Sequence, residues 1–367
     1  MKALMTHSEN SGLGYYRIWM PADALKRSGW EINRIPDYLP TIPNDKQSAL
    51  SSKDPLLKRM YEKYGSWEEL AEGIDIMILQ RSDQPQVIAL TLAIREQYGV
   101  PIVYEVDDNI YDVSENSPAY KYWHPGSPFF EVAETFMQNV DAITVSTHEL
   151  KKVYEKFNKN VYVLENCQDP RDWEGVVRPE PEDKLVIGWA GSYTHYDDLK
   201  VVAPAMKKIL KKYPNVVFRV LGLKPDFLQN MKGVELRSDW SDIRQWQRKL
   251  AELNFDIGIA PVVNRPFNRG KSNIKWQEYS MLGIPTVASD VGPYKSIQDG
   301  VDGVLTNNDP KNWYNALESV IKDAELRKTL GENAKQRVLT DFNIDRNIGQ
   351  WNDAYREIIE RFKSVSS

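Results

Sequence analysis

The residues best suited to chemistry lie close together between positions 254 and 294. Arg265, Arg269 and Lys271 place three cations in one loop, 262–272, that Ser272 closes. The loop follows an apolar run, 255–261, that reads as a short buried strand ended by proline. It leads into residues 274–282, which have helical spacing and are stopped by Gly283-Ile284-Pro285. A helix start has unpaired N–H groups, and the carboxyl edge of a parallel strand is where α/β proteins take ligands. The chemistry expected here is the holding of a phosphate by Lys271 and Ser272. Glu278 lies roughly one to two helical turns further on.

Four other stretches carry side chains that can act. Ala190-Gly191-Ser192-Tyr193-Thr194-His195 joins an apolar run, 185–189, to a helical one, 197–213. Its small residues either make an ordinary turn or let the backbone approach a phosphate at the helix start. Near the beginning, Gly12 and Gly14 separate a strand-like run, 2–6, from a helical run, 19–28. Two glycines fall short of a dinucleotide fingerprint. They serve a tight turn, or they bring N–H groups towards a phosphate with Arg17 adding charge.

Asp107 and Asp108 follow a third apolar run, 102–106. Adjacent carboxylates there read as a Mg²⁺ pair, as an Asx turn, or as groups that orient or deprotonate an acceptor hydroxyl. Residues 111–130 are rich in aromatics and proline, the composition of a lid or binding loop. Tyr120, Tyr122, Trp123 and His124 are its candidates for contact with an acceptor. Trp240, in the loop 238–240, either stacks on a ligand ring or packs in the core.

Positioning these groups calls for short apolar strands alternating with helices, which is the pattern of parallel sheets covered on both faces. The alternation runs over 1–170, pauses in a proline-rich charged linker at 171–183, and restarts over 184–345. Residues 36–72 form a polar insertion with a helix expected at 54–63. Near the end, Trp351, Tyr355, Ile358, Ile359 and Phe362 have helical spacing and need a surface to cover them.

The strand Asp256-Ile257-Gly258-Ile259-Ala260-Pro261, the loop 268–272, Lys275, Glu278-Tyr279 and Leu282-Gly283-Ile284-Pro285 resemble the donor-binding segment of retaining nucleotide-sugar glycosyltransferases of the GT-B type, most closely family 4. The resemblance is strong over 185–345 and looser before. It implies an α/β fold of two Rossmann-like domains facing across a cleft, with a C-terminal helix, 346–367, crossing back to the first. It implies that Glu278 holds the donor ribose, that Lys271 meets the diphosphate, and that Gly191, Ser192 and His195 lie at the same diphosphate. Gly12, Gly14, Arg17, Arg269 and Ser272 would belong to the same donor side, Trp240 to the nucleobase, and Asp107 or Asp108 to the acceptor. One departure stands out: where the family often has a second glutamate near the sugar, this chain has Gly270.

The implied activity is transfer of a sugar from a UDP- or GDP-type donor to an acceptor hydroxyl, with retention of configuration and no essential cofactor; Mg²⁺ is admissible but not required. The acceptor is a glycan, a lipid-linked or small molecule, or nucleic acid. Three other readings share the sequence: an inverting or epimerising sugar-nucleotide enzyme, a transferase acting on DNA bases, and a non-enzymatic sugar-nucleotide binder. A net charge of −5 gives no bulk attraction to nucleic acid or anionic membranes. Cys167 is the single cysteine, so no internal disulfide is available. With no long apolar run at its start or elsewhere, the chain is expected to be cytoplasmic.

Overall fold

The computed structural model describes residues 1–7, 11–36, 42–115, 117 and 119–366. Residues 37–41 of the expected insertion, and 116 and 118 of the aromatic loop, lie outside these. The chain divides into two compact units. Unit 1 comprises Met1–Tyr111, Lys121–Glu165 and Asn347–Ser367, and unit 2 comprises Asp112–Tyr120 and Asn166–Arg346.

Unit 1 is built on six parallel strands: β1 (Lys2–His7), β2 (Glu31–Pro36), β3 (Ile76–Gln80), β4 (Ile102–Val106), β5 (Ala142–Val145) and β6 (Val161–Val163). Every residue of β3, β4 and β5 is buried, which is why these runs read as continuous apolar stretches. The order is β2-β1-β3-β4-β5-β6, so the chain reverses its direction of winding between β1 and β3. The last helix, Ile344–Ser366, supplies the apolar stripe seen in the sequence. Trp351, Tyr355, Ile358 and Ile359 are buried, and Trp30 Nε1 donates to Asn352 Oδ1 at 3.0 Å within unit 1.

Unit 2 repeats the architecture with β7 (Leu185–Ala190), β8 (Val216–Leu221), β9 (Val234–Arg237), β10 (Ile257–Ala260), β11 (Thr286–Ser289) and β12 (Val304–Thr306). Its order, β12-β11-β10-β7-β8-β9, is that of the doubly wound dinucleotide-binding sheet. Strand positions thus agree with the sequence reading to within a residue or two at most ends. Three helical expectations need correction. The first helical segment starts at Gly12, not at residue 19, and runs through a π-helical turn, Tyr15–Trp19, into Met20–Arg27. The described residues of the insertion hold three helices, Lys46–Ser51, Pro55–Tyr64 and Trp67–Ala71, where one is expected. The loop 262–272 contains a short helix, Pro266–Gly270.

The early helix start decides the fate of Arg17. Gly14 takes an ordinary right-handed φ of −61°, so this glycine is not needed for a left-handed turn. Being inside a helical segment turns Arg17 inward, where it is 1% exposed. Its Nε donates to Glu105 Oε1 at 2.7 Å and its Nη2 to Glu105 Oε2 at 3.0 Å, while Nη1 donates to the Leu164 carbonyl. Thr144 Oγ1 donates to the same carboxylate at 2.5 Å. Arg17 therefore ties the first helical segment to β4 and to the end of β6, and does not present its charge to a ligand.

Removing one partner of such a pair leaves a buried charge uncompensated. Arg17→Ala should cost about 3–5 kcal/mol in urea unfolding. Arg17→Met combined with Glu105→Leu should recover most of that loss. A single variant within 1 kcal/mol of the parent would show that the pair is not a structural tie.

Candidate functional site

In unit 2 the winding reverses between β7 and β10, and the crevice of such a sheet lies at the carboxyl ends of those strands. Two loops leave there, 191–195 after β7 and 261–273 after β10. One buried carboxylate joins them. Asp198, in the first turn of the helix Tyr196–Lys212, is 2% exposed. Its Oδ1 accepts from the Val263 N–H at 2.8 Å and from Asn268 Nδ2 at 2.8 Å, and its Oδ2 lies 2.7 Å from His195 Nδ1.

Lysines converge on the same place. Lys275, in the first turn of the helix Ile274–Met281, donates from Nζ to the Ala190 carbonyl and sits 5.0 Å from the centre of the Trp189 ring. Burial lowers its pKa to about 8; Glu278 and Asp198 oppose the drop, and Lys271 adds to it by repulsion. Lys271 Nζ lies 4.5 Å from the centre of the Phe267 ring. Burial first, and then the positive charge of Lys271 and of Lys275, push His195 down to about 4 against the pull of Asp198. Asn273 offers no side-chain cap to the helix that follows.

The other expected donor-side residues are placed as follows. Gly191 is required by space, because a Cβ there would come within 2.6 Å of Trp189 and 3.3 Å of Lys275 Nζ. Its own N–H is donated to the Leu221 carbonyl at 3.2 Å. Ser192 is exposed, with Oγ 2.8 Å from Thr194 Oγ1. Ser272 Oγ accepts from Asn166 Nδ2 at 2.8 Å. Arg269 is exposed and donates to Asn264 Oδ1 at 3.0 Å, while Arg265 lies over the Phe267 ring.

Glu278 is 8% exposed and accepts from Trp246 Nε1 at 2.8 Å. The Trp246 ring lies 5.5 Å from that of Trp240, tilted by 30°. Trp240 also covers Gly222, whose missing side chain makes room for it, yet the tryptophan is 48% exposed. Of the two readings of Trp240, core packing does not describe it: part of the ring is held and about half of the residue is open. Glu278 itself is fixed by its neighbour Tyr279, which packs over Gly258, where a Cβ would come within 2.4 Å of the ring, and accepts from the Ala190 N–H at 3.2 Å.

In unit 1, Asp107 and Asp108 stand at the end of β4 beside Arg81, whose Nη1 is 3.9 Å from Asp107 and 3.3 Å from Asp108. Burial and the charge of Asp108 raise Asp107 to about 7, against the attraction of Arg81 and Arg17. The cation beside this pair is thus Arg81. Among the described residues no group of three or more His, Cys, Asp or Glu side chains is arranged to hold a metal ion. Trp123 is buried, with Arg81 over its ring, so it offers no open platform. Tyr122 is exposed and packs edge-on against Phe129, and His124 Nδ1 lies 3.0 Å from the Pro125 carbonyl. Tyr120 falls in the segment that clusters with unit 2, its N–H donated to the Ser117 carbonyl.

Residues 184–323 match the family model described as glycosyl transferases group 1. The chain is related to the group 1 glycosyl transferases. It is 24% identical over 195 residues to a D-inositol 3-phosphate glycosyltransferase of Corynebacterium urealyticum, a match covering 50% of this chain and 44% of that one. It is 22% identical over 298 residues to the Nocardioides enzyme of the same name, covering 71% and 63%. The matches thus take in about half of these curated relatives. Among solved structures, sucrose-phosphate synthase of Thermosynechococcus elongatus shares the fold with a TM-score of 0.68 at 15% identity, over 98% of this chain and 100% of that one. Anabaena HepE, in complex with UDP and glucose, does so with a TM-score of 0.65 at 13% identity, over 97% and 100%. Among the described residues no helix is long and apolar enough to cross a membrane.

The matched segment holds three residues whose part in the cluster appears only in the fold. Asp198 reads as an ordinary first-turn acid; its spacing three residues after His195 is the signal. Trp246 carries no local signal, since its partner Glu278 lies far along the chain. Lys275 belongs to the matched motif, and its repeat four residues after Lys271 places both near one helix start.

Lys275 gives a stability test. Its folded pKa, near 8, lies below the unfolded value, so the buried charge opposes folding below pH 8 and this penalty fades as pH rises towards 10.5. Lys275→Met should therefore be about 1–2 kcal/mol more stable than the parent at pH 7, with the difference shrinking by pH 10. Urea midpoints at the two pH values measure it. A constant difference would mean that Lys275 is solvated.

Proposed function

We propose that the chain is a glycosyltransferase that moves a sugar from a nucleoside diphosphate donor to an acceptor hydroxyl. The observation that carries this is the company kept at one sheet edge: Lys271 and Lys275 at an uncapped helix start, with Glu278, Trp246 and Trp240 in line beside them. Lysines in partly dry surroundings suit the diphosphate, where negative charge grows as the glycosidic bond breaks. Preorganised charge of this kind is commonly the largest contribution to such catalysis. Glu278, oriented by Trp246, holds the ribose hydroxyls, and the open part of Trp240 takes the base.

The donor is a UDP- or GDP-sugar, transferred with retention of configuration. Asp198 and Glu278 are both engaged in hydrogen bonds, and neither is set out as a covalent nucleophile. Attack on the face that the leaving group departs from fits that better than a glycosyl-enzyme intermediate. Asp107 and Asp108 orient the acceptor hydroxyl. Tyr120, Tyr122 and His124 are its further contacts, and Arg269, Ser192 and Ser272 lie on the diphosphate side. Mg²⁺ is not essential in this scheme, and the reaction takes place in the cytoplasm.

Thermal denaturation against UDP-, GDP-, ADP-, TDP- and CDP-sugars tests the donor. A ligand at 100 times its Kd adds about 2.7 kcal/mol, and each kcal/mol moves Tm by roughly 2–4 °C. Lys271→Ala should lower turnover by about 10²–10³ with Tm unchanged. Glu278→Ala should chiefly weaken donor binding. No shift with any nucleotide sugar, or near-normal turnover in the lysine variant, would overturn the assignment; binding without turnover on a broad acceptor panel would point to a non-enzymatic binder.

A further inference from the structure

His195 stands among groups that fix its proton. Asn268 Nδ2 donates to Asp198 Oδ1 at 2.8 Å and to the Val263 carbonyl at 3.0 Å. Both partners are acceptors, so the amide has one workable orientation, with its nitrogen towards them. The Val263 N–H is a donor by nature. Of the two groups that could carry the proton of the 2.7 Å contact with the second oxygen, imidazole is by far the stronger base, so Asp198 only accepts there and the facing nitrogen is the donor. His195 Nδ1 therefore carries the proton. In a neutral ring this leaves Nε2 as an acceptor, and burial with two lysine charges close by keeps the ring neutral at pH 7. Among the described residues no hydrogen bond takes Nε2.

An acceptor nitrogen is the wrong partner for a phosphate oxygen, which has only lone pairs to offer. It suits a hydroxyl. Asn268 Oδ1, fully buried and without a hydrogen-bond partner, is a second acceptor in the same cluster. The lysines already supply what the diphosphate needs. We propose that His195 accepts a hydrogen bond at Nε2 from a hydroxyl of the transferred sugar, and so selects the sugar and does not bind the diphosphate. This rests on the nucleotide-sugar reading above. Asp198 acts as the positioning residue that sets the tautomer.

Binding of UDP, UDP-glucose, GDP and GDP-mannose to the parent protein and to His195→Ala and His195→Gln separates the two roles. The expected result is about a five- to tenfold loss for the nucleotide sugar in His195→Ala, the size of one hydrogen bond. The matching nucleoside diphosphate should change less than about twofold, and His195→Gln, whose carbonyl also accepts, should recover part of the loss. Equal weakening of sugar nucleotide and bare diphosphate would overturn the inference, as would no weakening of either. ¹⁵N NMR of the parent at pH 7 reads the ring directly, whatever the variants do; an imidazolium or an Nε2-protonated tautomer would also overturn it. A parent that takes up none of the four ligands would remove the nucleotide-sugar reading itself, and that result differs from each of these.

Discussion

The site in unit 2 depends on one buried carboxylate. The two loops at the reversal of the sheet come from strands that are neighbours in space, β7 and β10, but lie far apart in sequence. Nothing in a parallel sheet fixes such loops to each other. Asp198 does so with three hydrogen bonds, two to the later loop and one to His195. Each is a bond to an ionised group in a low-dielectric setting, where such bonds are about twice as strong as neutral ones. The position of Asp198 in the first turn of a helix adds a favourable dipole to the anion.

The same carboxylate sorts the charges around it. Two lysines and a histidine close together would repel one another if all were protonated. Asp198 offsets part of that repulsion, and burial with the two lysine charges keeps the histidine neutral against its pull, imidazole being the weakest base of the three. The outcome is a cationic pair with one neutral acceptor beside it. Gly191 allows this closeness, since any side chain there would press on Trp189 and approach Lys275. Backbone space and charge state are thus solved by the same few residues.

Much of this was legible beforehand, and the parts that were not have a common cause. Short apolar runs gave the strands because parallel strands are buried on both faces. Lys271, Glu278 and the turn at Gly191 stand in local patterns, a cationic loop before one helix start and a glycine turn before another, which a linear sequence shows directly. The position of Arg17 after two glycines suggests a loop, whereas the helix begins at Gly12 and turns the side chain to Glu105, far away in sequence. Trp123 departs from its expected place for the same kind of reason: its cover, Arg81, comes from another strand end. Asp198 and Trp246 act through partners on distant elements, and a linear pattern does not show these. Local motifs mark the candidate groups; the groups that hold them in place are mostly non-local.

Gly270 can now be weighed physically. A glutamate there would put a further negative charge at a buried position of the short helix Pro266–Gly270, near a cluster that already contains Asp198 and Glu278. A carboxylate meets a sugar by accepting from its hydroxyls, and a neutral imidazole does so as well. The difference is in the field. A further anion there would compete with a diphosphate for the field of Lys271 and Lys275. With glutamate absent, acceptance of the sugar hydroxyl falls to His195 in this scheme, and the positive potential is left for the group that departs. On this argument the departure at Gly270 and the neutral His195 are two sides of one arrangement, in which recognition of the sugar is kept apart from stabilisation of the leaving charge.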